Sequence, residues 1–92
     1  MIEEAKRGKM TYAQQKAARA ERQKQERRLG DVEQHIATLE ERKAAIEALM
    51  ADGATFGDPQ RARELATEYD TLKRKLEERY AAWTELAEEM DA

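Results

Sequence analysis

Cysteine and serine are missing from this chain of 92 residues, which excludes disulfide staples, thiolate metal sites and a serine nucleophile. Histidine occurs once, at His35, so a multi-histidine metal site is out of reach as well. The four glycines, Gly8, Gly30, Gly53 and Gly57, do not supply the G-x-x-x-x-G-K-[ST] loop whose amides and lysine cradle phosphates; Gly8-Lys9 runs into Met10 and has no glycine five residues earlier. No apolar run approaches the roughly twenty residues a membrane-spanning helix needs, and no secretory signal precedes the first polar segment. A cytoplasmic location without membrane contact is the expectation. With 5% aromatic and 40% charged residues, so short a chain cannot enclose a large core. It can build a narrow seam, as one domain or as a module projecting from a larger protein.

What is present is helical periodicity. One stripe reads Leu29, Val32, Ile36, Leu39, Ile46, Met50, and a second reads Leu65, Tyr69, Leu72, Leu76, Trp83, Leu86, Met90, in steps of mostly three and four. A Gly/Asp/Pro turn near 52–58 separates them, so the pattern predicts an all-α fold: a two-helix antiparallel coiled-coil hairpin over 29–92, expected to be monomeric. Asp52-Gly53 is expected to close the first helix, with glycine in the left-handed conformation, and Asp58-Pro59 to open the second. Phe56, inside the turn, is expected to lid the seam, and Trp83 to cap it from the other helix. One register opposes Met50 with Leu65, Ile46 with Tyr69, Leu39 with Leu76 and Val32 with Trp83, and brings Glu40 near Lys73 and Arg42 near Lys75; a shorter turn instead offers Glu68 to Arg42. Lys43 and Arg79 fall at seam positions, where their stems can pack while their heads reach water.

The net charge of −3 conceals an asymmetry: residues 1–30 carry nine Lys/Arg against four Glu, a net +5, while residues 31–92 carry eight against sixteen acids, a net −8. Residues 1–10 lack periodicity and read as a linker or leader. Thr11 followed by Gln14 has the form of a capping box, and alanines 13, 17, 18 and 20 favour helix beyond it. The resulting basic helical arm, 11–28, has no apolar stripe, because its cations point in nearly every direction of a helical wheel. Gly30 follows it, at a cost of about 1 kcal/mol relative to alanine, and a bend or fraying is expected there.

Chemistry is hard to place on such a rod. The paired carboxylates Glu40-Glu41, Glu77-Glu78 and Glu88-Glu89 lack the burial that tunes catalytic acids and read as solvated faces. The few threonines have no base beside them, and His35 flanks the seam in a structural or surface role. No catalytic or metal-binding residue is assigned. The arm is the exception: Lys9, Lys16, Arg19, Arg22, Lys24, Arg27 and Arg28 can neutralise successive phosphates of a nucleic acid, largely without regard to sequence. The alternative is a solvated charged helix. Tyr12, Tyr80 and Trp83 are aromatic enough to stack on bases, but Trp83 fits better as part of the seam.

Several short patterns, in order, resemble the C-terminal coiled-coil domain of ABC-F ATPases of the Uup type. Lys9-Met10-Thr11-Tyr12 with Gln15 is similar to the opening K-[LM]-[ST]-Y-x-x-Q of that domain, and the Leu29 to Leu49 heptads to its first long helix. Ala51-Asp52 with Phe56 resembles its turn, and Leu76-Glu77-Glu78 through Tyr80 and Trp83 to Glu85-Leu86 its closing L-E-x-x-Y-x-x-W-x-E-L. The chain departs from the shortest members in the longer Arg-rich stretch between Tyr12 and Ile36, and in Gly30, where many members have proline. The resemblance implies a parent protein with two ATP-binding domains, which would hold ATP and Mg²⁺, and no cofactor in this chain. It also implies DNA or ribosomal RNA as partner, alongside the parent ATPase domains, and work on the ribosome in translation. The competing expectation is a coiled coil for protein interaction or self-association through exposed seam residues near Trp83 and Met90.

Overall fold

The computed structural model describes residues 10–91 as α1 (Tyr12–Met50), α2 (Gly53–Phe56) and α3 (Pro59–Asp91). The helix α1 starts at a complete capping box. The Gln14 amide donates to Thr11 Oγ1 at 3.1 Å and the Thr11 amide donates to Gln14 Oε1 at 2.9 Å, which satisfies two amides that the first turn would leave unpaired. From there α1 runs 39 residues without interruption, passing through Gly30. The bend expected at that glycine is absent. One weak helix former in a long run costs little against the cooperativity of its neighbours, and from Leu29 onward α3 supports the helix.

The turn differs from expectation in a second way. No glycine among the described residues has a positive φ. Instead α1 ends on Ala51 in right-handed geometry, and the Ala51 and Asp52 amides donate to Glu47 and Leu49 carbonyls, each at 3.1 Å. Asp52 then turns extended and accepts from the Ala54 amide at 3.0 Å, so it caps the short α2 where it was expected to close α1. Asp58 does the same for α3, accepting from the Arg61 amide at 3.1 Å, with Pro59 in the first helical position. Phe56 lies 75% exposed at the turn and does not lid the seam. Its place in α2 leaves the seam closed by Leu49 and Met50.

The core is one row of side chains from each helix: Leu39 and Ile46 from α1, and Leu65, Leu72 and Leu76 from α3, with Ile36, Leu49, Met50 and Tyr69 packed against them. Each such aliphatic residue, fully buried, stabilises by about 1.5–3 kcal/mol. Polar contacts also join the two helices. Arg42 pairs with Glu68, the Tyr69 hydroxyl donates to Glu47 Oε1 at 3.1 Å, and the Tyr80 hydroxyl donates to Glu40 Oε1 at 3.0 Å. Glu40 and Lys73 also line one hollow, so the Glu40–Lys73 neighbourhood and the Arg42–Glu68 pair, which belonged to alternative registers, coexist. Arginine length spans the difference. Lys43 is half-buried at its seam position, with its Nζ 5.9 Å from the centre of the Tyr69 ring, while Lys73 approaches the same ring at 5.4 Å. Among the described residues, no helix is long and apolar enough to cross a membrane.

Candidate nucleic-acid interface

Because α1 does not break, the basic arm is the N-terminal part of the same rod that forms the hairpin. Lys16, Arg19, Arg22, Lys24, Arg27 and Arg28 are all exposed on it; Lys9 lies outside the described residues. Among the described residues, the arm contains one ion pair, Arg22 Nε to Glu26 Oε1 at 3.4 Å, across one turn of helix. That spacing leaves Lys16, Arg19, Lys24, Arg27 and Arg28 with heads in water and available to an anion.

The arm is not free-standing along its whole length. Glu89 and Met90, from the last turn of α3, line a surface hollow of about 510 Å³ together with Ala18, Arg19, Glu21, Arg22 and Gln25. Gln25 is the first α1 residue to be half-buried, ahead of Leu29. The seam therefore begins one turn earlier than the apolar stripe does. Gln25 stands four residues before Leu29 and seven before Val32, so helical spacing continues through it, but its polarity keeps it out of an apolar pattern. Only the first turns of α1, before Ala18, project past this contact.

The aromatics sit elsewhere. Trp83 is 38% exposed and Tyr80 47%, and with Glu33, Ile36 and Ala37 they line a hollow of about 340 Å³. Trp83 is thus a half-covered wall, and the expected cap at the end of the seam is not formed. The Tyr80 hydroxyl is raised above its ordinary pKa, first because it donates to Glu40 and then by partial desolvation. Neither ring lies beside the arm's cations, since Trp83 faces Ile36 and Ala37, beyond the arm's end at Arg28. Among the described residues, no group of His, Cys, Asp or Glu is arranged to hold a metal ion. His35 is exposed.

The family model for the ABC transporter C-terminal domain matches residues 9–88. The chain belongs to this family. The match covers the arm from Lys9 onward as well as both hairpin helices, so the basic segment is part of the ABC transporter C-terminal domain and does not precede it. No match was found among curated proteins or solved structures.

Proposed function

We propose that this ABC transporter C-terminal domain is a non-catalytic arm of an ABC-F type ATP-binding protein that grips nucleic-acid phosphates, with the hairpin as spacer. The observation that carries this reading is the set of exposed cations on the N-terminal part of α1, largely without carboxylate partners, on a chain whose remainder is acidic. The anionic remainder repels a phosphate backbone and so confines contact to the arm. The chain does not fit a nucleotide: it has no phosphate-cradling glycine loop, so ATP and Mg²⁺ belong to other domains of the parent. On this reading the partners are DNA or ribosomal RNA and the parent ATPase domains, the domain acts as a cytoplasmic monomer, and translation on the ribosome is the setting.

The test is to replace Arg19, Arg22, Arg27 and Arg28 by Gln and titrate labelled DNA and RNA at several salt concentrations. For every phosphate that the variant no longer neutralises, the plot of log affinity against log salt should flatten by about one unit on duplex DNA. Helicity and melting temperature should hold, because all four side chains are exposed. Unchanged affinity and slope would remove the reading.

The half-exposed Tyr80–Trp83 hollow favours a second reading, in which the hairpin recruits another helix. That association would be insensitive to salt and abolished in Trp83→Ala, whereas phosphate binding would be neither.

A further inference from the structure

The hairpin's negative charge is gathered at one end. Residues 29–41 and 80–91 hold eight carboxylates and no Lys or Arg, whereas residues 42–79, around the turn, hold eight of each sign. The antiparallel return brings the two anionic stretches together, since Glu33, Ile36 and Ala37 share a hollow with Tyr80 and Trp83. The seam is also least closed at this end. Leu39 is buried, but Leu29, Val32, Ile36, Leu86 and Met90 are only half-buried, and the Trp83 and Tyr80 rings keep a wet face among the carboxylates.

Glu33 is uncommitted there. Its neighbours one turn away on α1 are Leu29, Gly30, Ile36 and Ala37, none of them a cation, and among the described residues it makes no ion pair. Glu40, by contrast, accepts from the Tyr80 hydroxyl at 3.0 Å, which holds the phenol ring in place as a wall of the hollow. An indole, a phenol and an unpaired carboxylate around an aliphatic floor are complementary to a guanidinium, which lays its plane on an aromatic face, gives up water more readily than an ammonium, and reaches a carboxylate with its edge. We propose that the Tyr80–Trp83 hollow receives an arginine side chain from a basic, apolar-faced helix of another protein, laid along the anionic end of the hairpin. This rests on the helix-recruiting reading above and names the chemistry of the recruited partner. The surrounding carboxylates steer a basic helix to this end and repel a nucleic acid from it, so partner and phosphate occupy different parts of α1. Apolar pairing alone would be insensitive to salt, whereas a cation seated among carboxylates adds a salt-dependent part; dependence on Trp83 is then what separates this binding from the phosphate grip.

The chain has a single tryptophan, so its emission reports on the hollow directly. The experiment titrates the whole chain, by emission and by calorimetry, with a tryptophan-free helical peptide that has leucines on one face and arginines on its flanks, and with the same peptide carrying citrulline, which keeps the shape of arginine without its charge. The arginine peptide should shift Trp83 emission saturably and bind about tenfold tighter than the citrulline peptide, the discrimination of roughly one charge-assisted contact. Glu33→Gln should weaken the arginine peptide severalfold with an unchanged melting temperature, since Glu33 is exposed, while Asp70→Asn, which removes the same charge from the neutral half, should not weaken it. Equal affinity for the two peptides, or equal effects of Glu33→Gln and Asp70→Asn, would overturn the arginine site and leave helix recruitment standing. Calorimetric binding that leaves Trp83 emission unmoved, or no binding of either peptide, would overturn both. Dimers of the chain alone that Trp83→Ala dissolves would make the occupant a second copy and overturn a separate partner.

Discussion

Arg42 on α1 and Glu68 on α3 meet in a two-point, charge-assisted contact, Nε to Oε1 at 2.7 Å and Nη2 to Oε2 at 2.9 Å. It is the one ion pair joining the two long helices among the described residues. Fork-to-carboxylate geometry fixes both side chains at once and with them the sliding position of the helices. The Arg42 hydrogen bond holds the Glu68 carboxyl below its ordinary pKa, and Glu68 in turn raises Arg42. Exchanging the partners, Arg42→Glu with Glu68→Arg, should restore most of the melting temperature that either single change removes. If the double variant melts no higher than the singles, the pair does not set the register.

Acid should weaken the hairpin through the same contact. A carboxyl whose folded pKa lies below its unfolded value adds stability that is fully present above the unfolded pKa, about 4.3 for glutamate, and is lost as pH falls through the folded one. The melting-temperature difference between the parent chain and Glu68→Gln should therefore shrink on acidification. Added salt should shrink it too, since the pair is half-exposed.

Alkali should act through the tyrosines. Tyr69 and Tyr80 are raised above the ordinary phenol range, each first by donating to a carboxylate, Glu47 and Glu40 respectively. Their contribution is present below the unfolded phenol pKa, about 10, and is lost as pH rises through the folded values. Spectrophotometric titration should show an upward-shifted phenol component that Tyr69→Phe and Tyr80→Phe each reduce.

Depth in the seam should rank the core substitutions. Ile46 and Leu65 have no exposed surface, so Ile46→Ala or Leu65→Ala should cost about 2–5 kcal/mol in denaturant melts. Trp83→Ala removes a larger side chain, but one already 38% exposed, and should fall below the roughly 3–5 kcal/mol typical of a buried aromatic. Arg22→Ala should stay within about 0.5 kcal/mol of the parent.

Gly30→Ala should stabilise. The glycine is exposed inside α1, and a Cβ added there meets nothing within 4 Å. The gain should be about 0.4–1 kcal/mol, largely from fewer conformations open to the unfolded chain. A fall in melting temperature would show that Gly30 adopts a conformation other than helix.

The hairpin was legible in the sequence because aliphatic side chains recurring at three and four residues have one economical way to leave water, and Asp58-Pro59 marks where the second helix starts. Thr11 and Gln14 announced the first cap for the same local reason. What escaped was decided by tertiary contact. Gly30 stays helical because its neighbours on α1 do. Asp52 caps a short helix that has no periodicity of its own to detect. Gln25 enters the seam because α3 reaches back to it with Met90. The arm's cations were visible as residue types, but which face they leave clear depends on where α3 lies, and no single-helix wheel contains that.

An unbroken α1 also makes the arm and the spacer a single beam. At 1.5 Å per residue its 39 residues extend about 58 Å, and no hinge separates Lys16 from Ile46. Torque applied to α1 near its end at Met50 is therefore delivered to the cations at the opposite end, as along a crankshaft and unlike a tethered tail. Spin labels at positions 16 and 46 should accordingly report one narrow distance distribution, and inserting a few glycines after Gly30 should broaden it, uncoupling the grip from the lever.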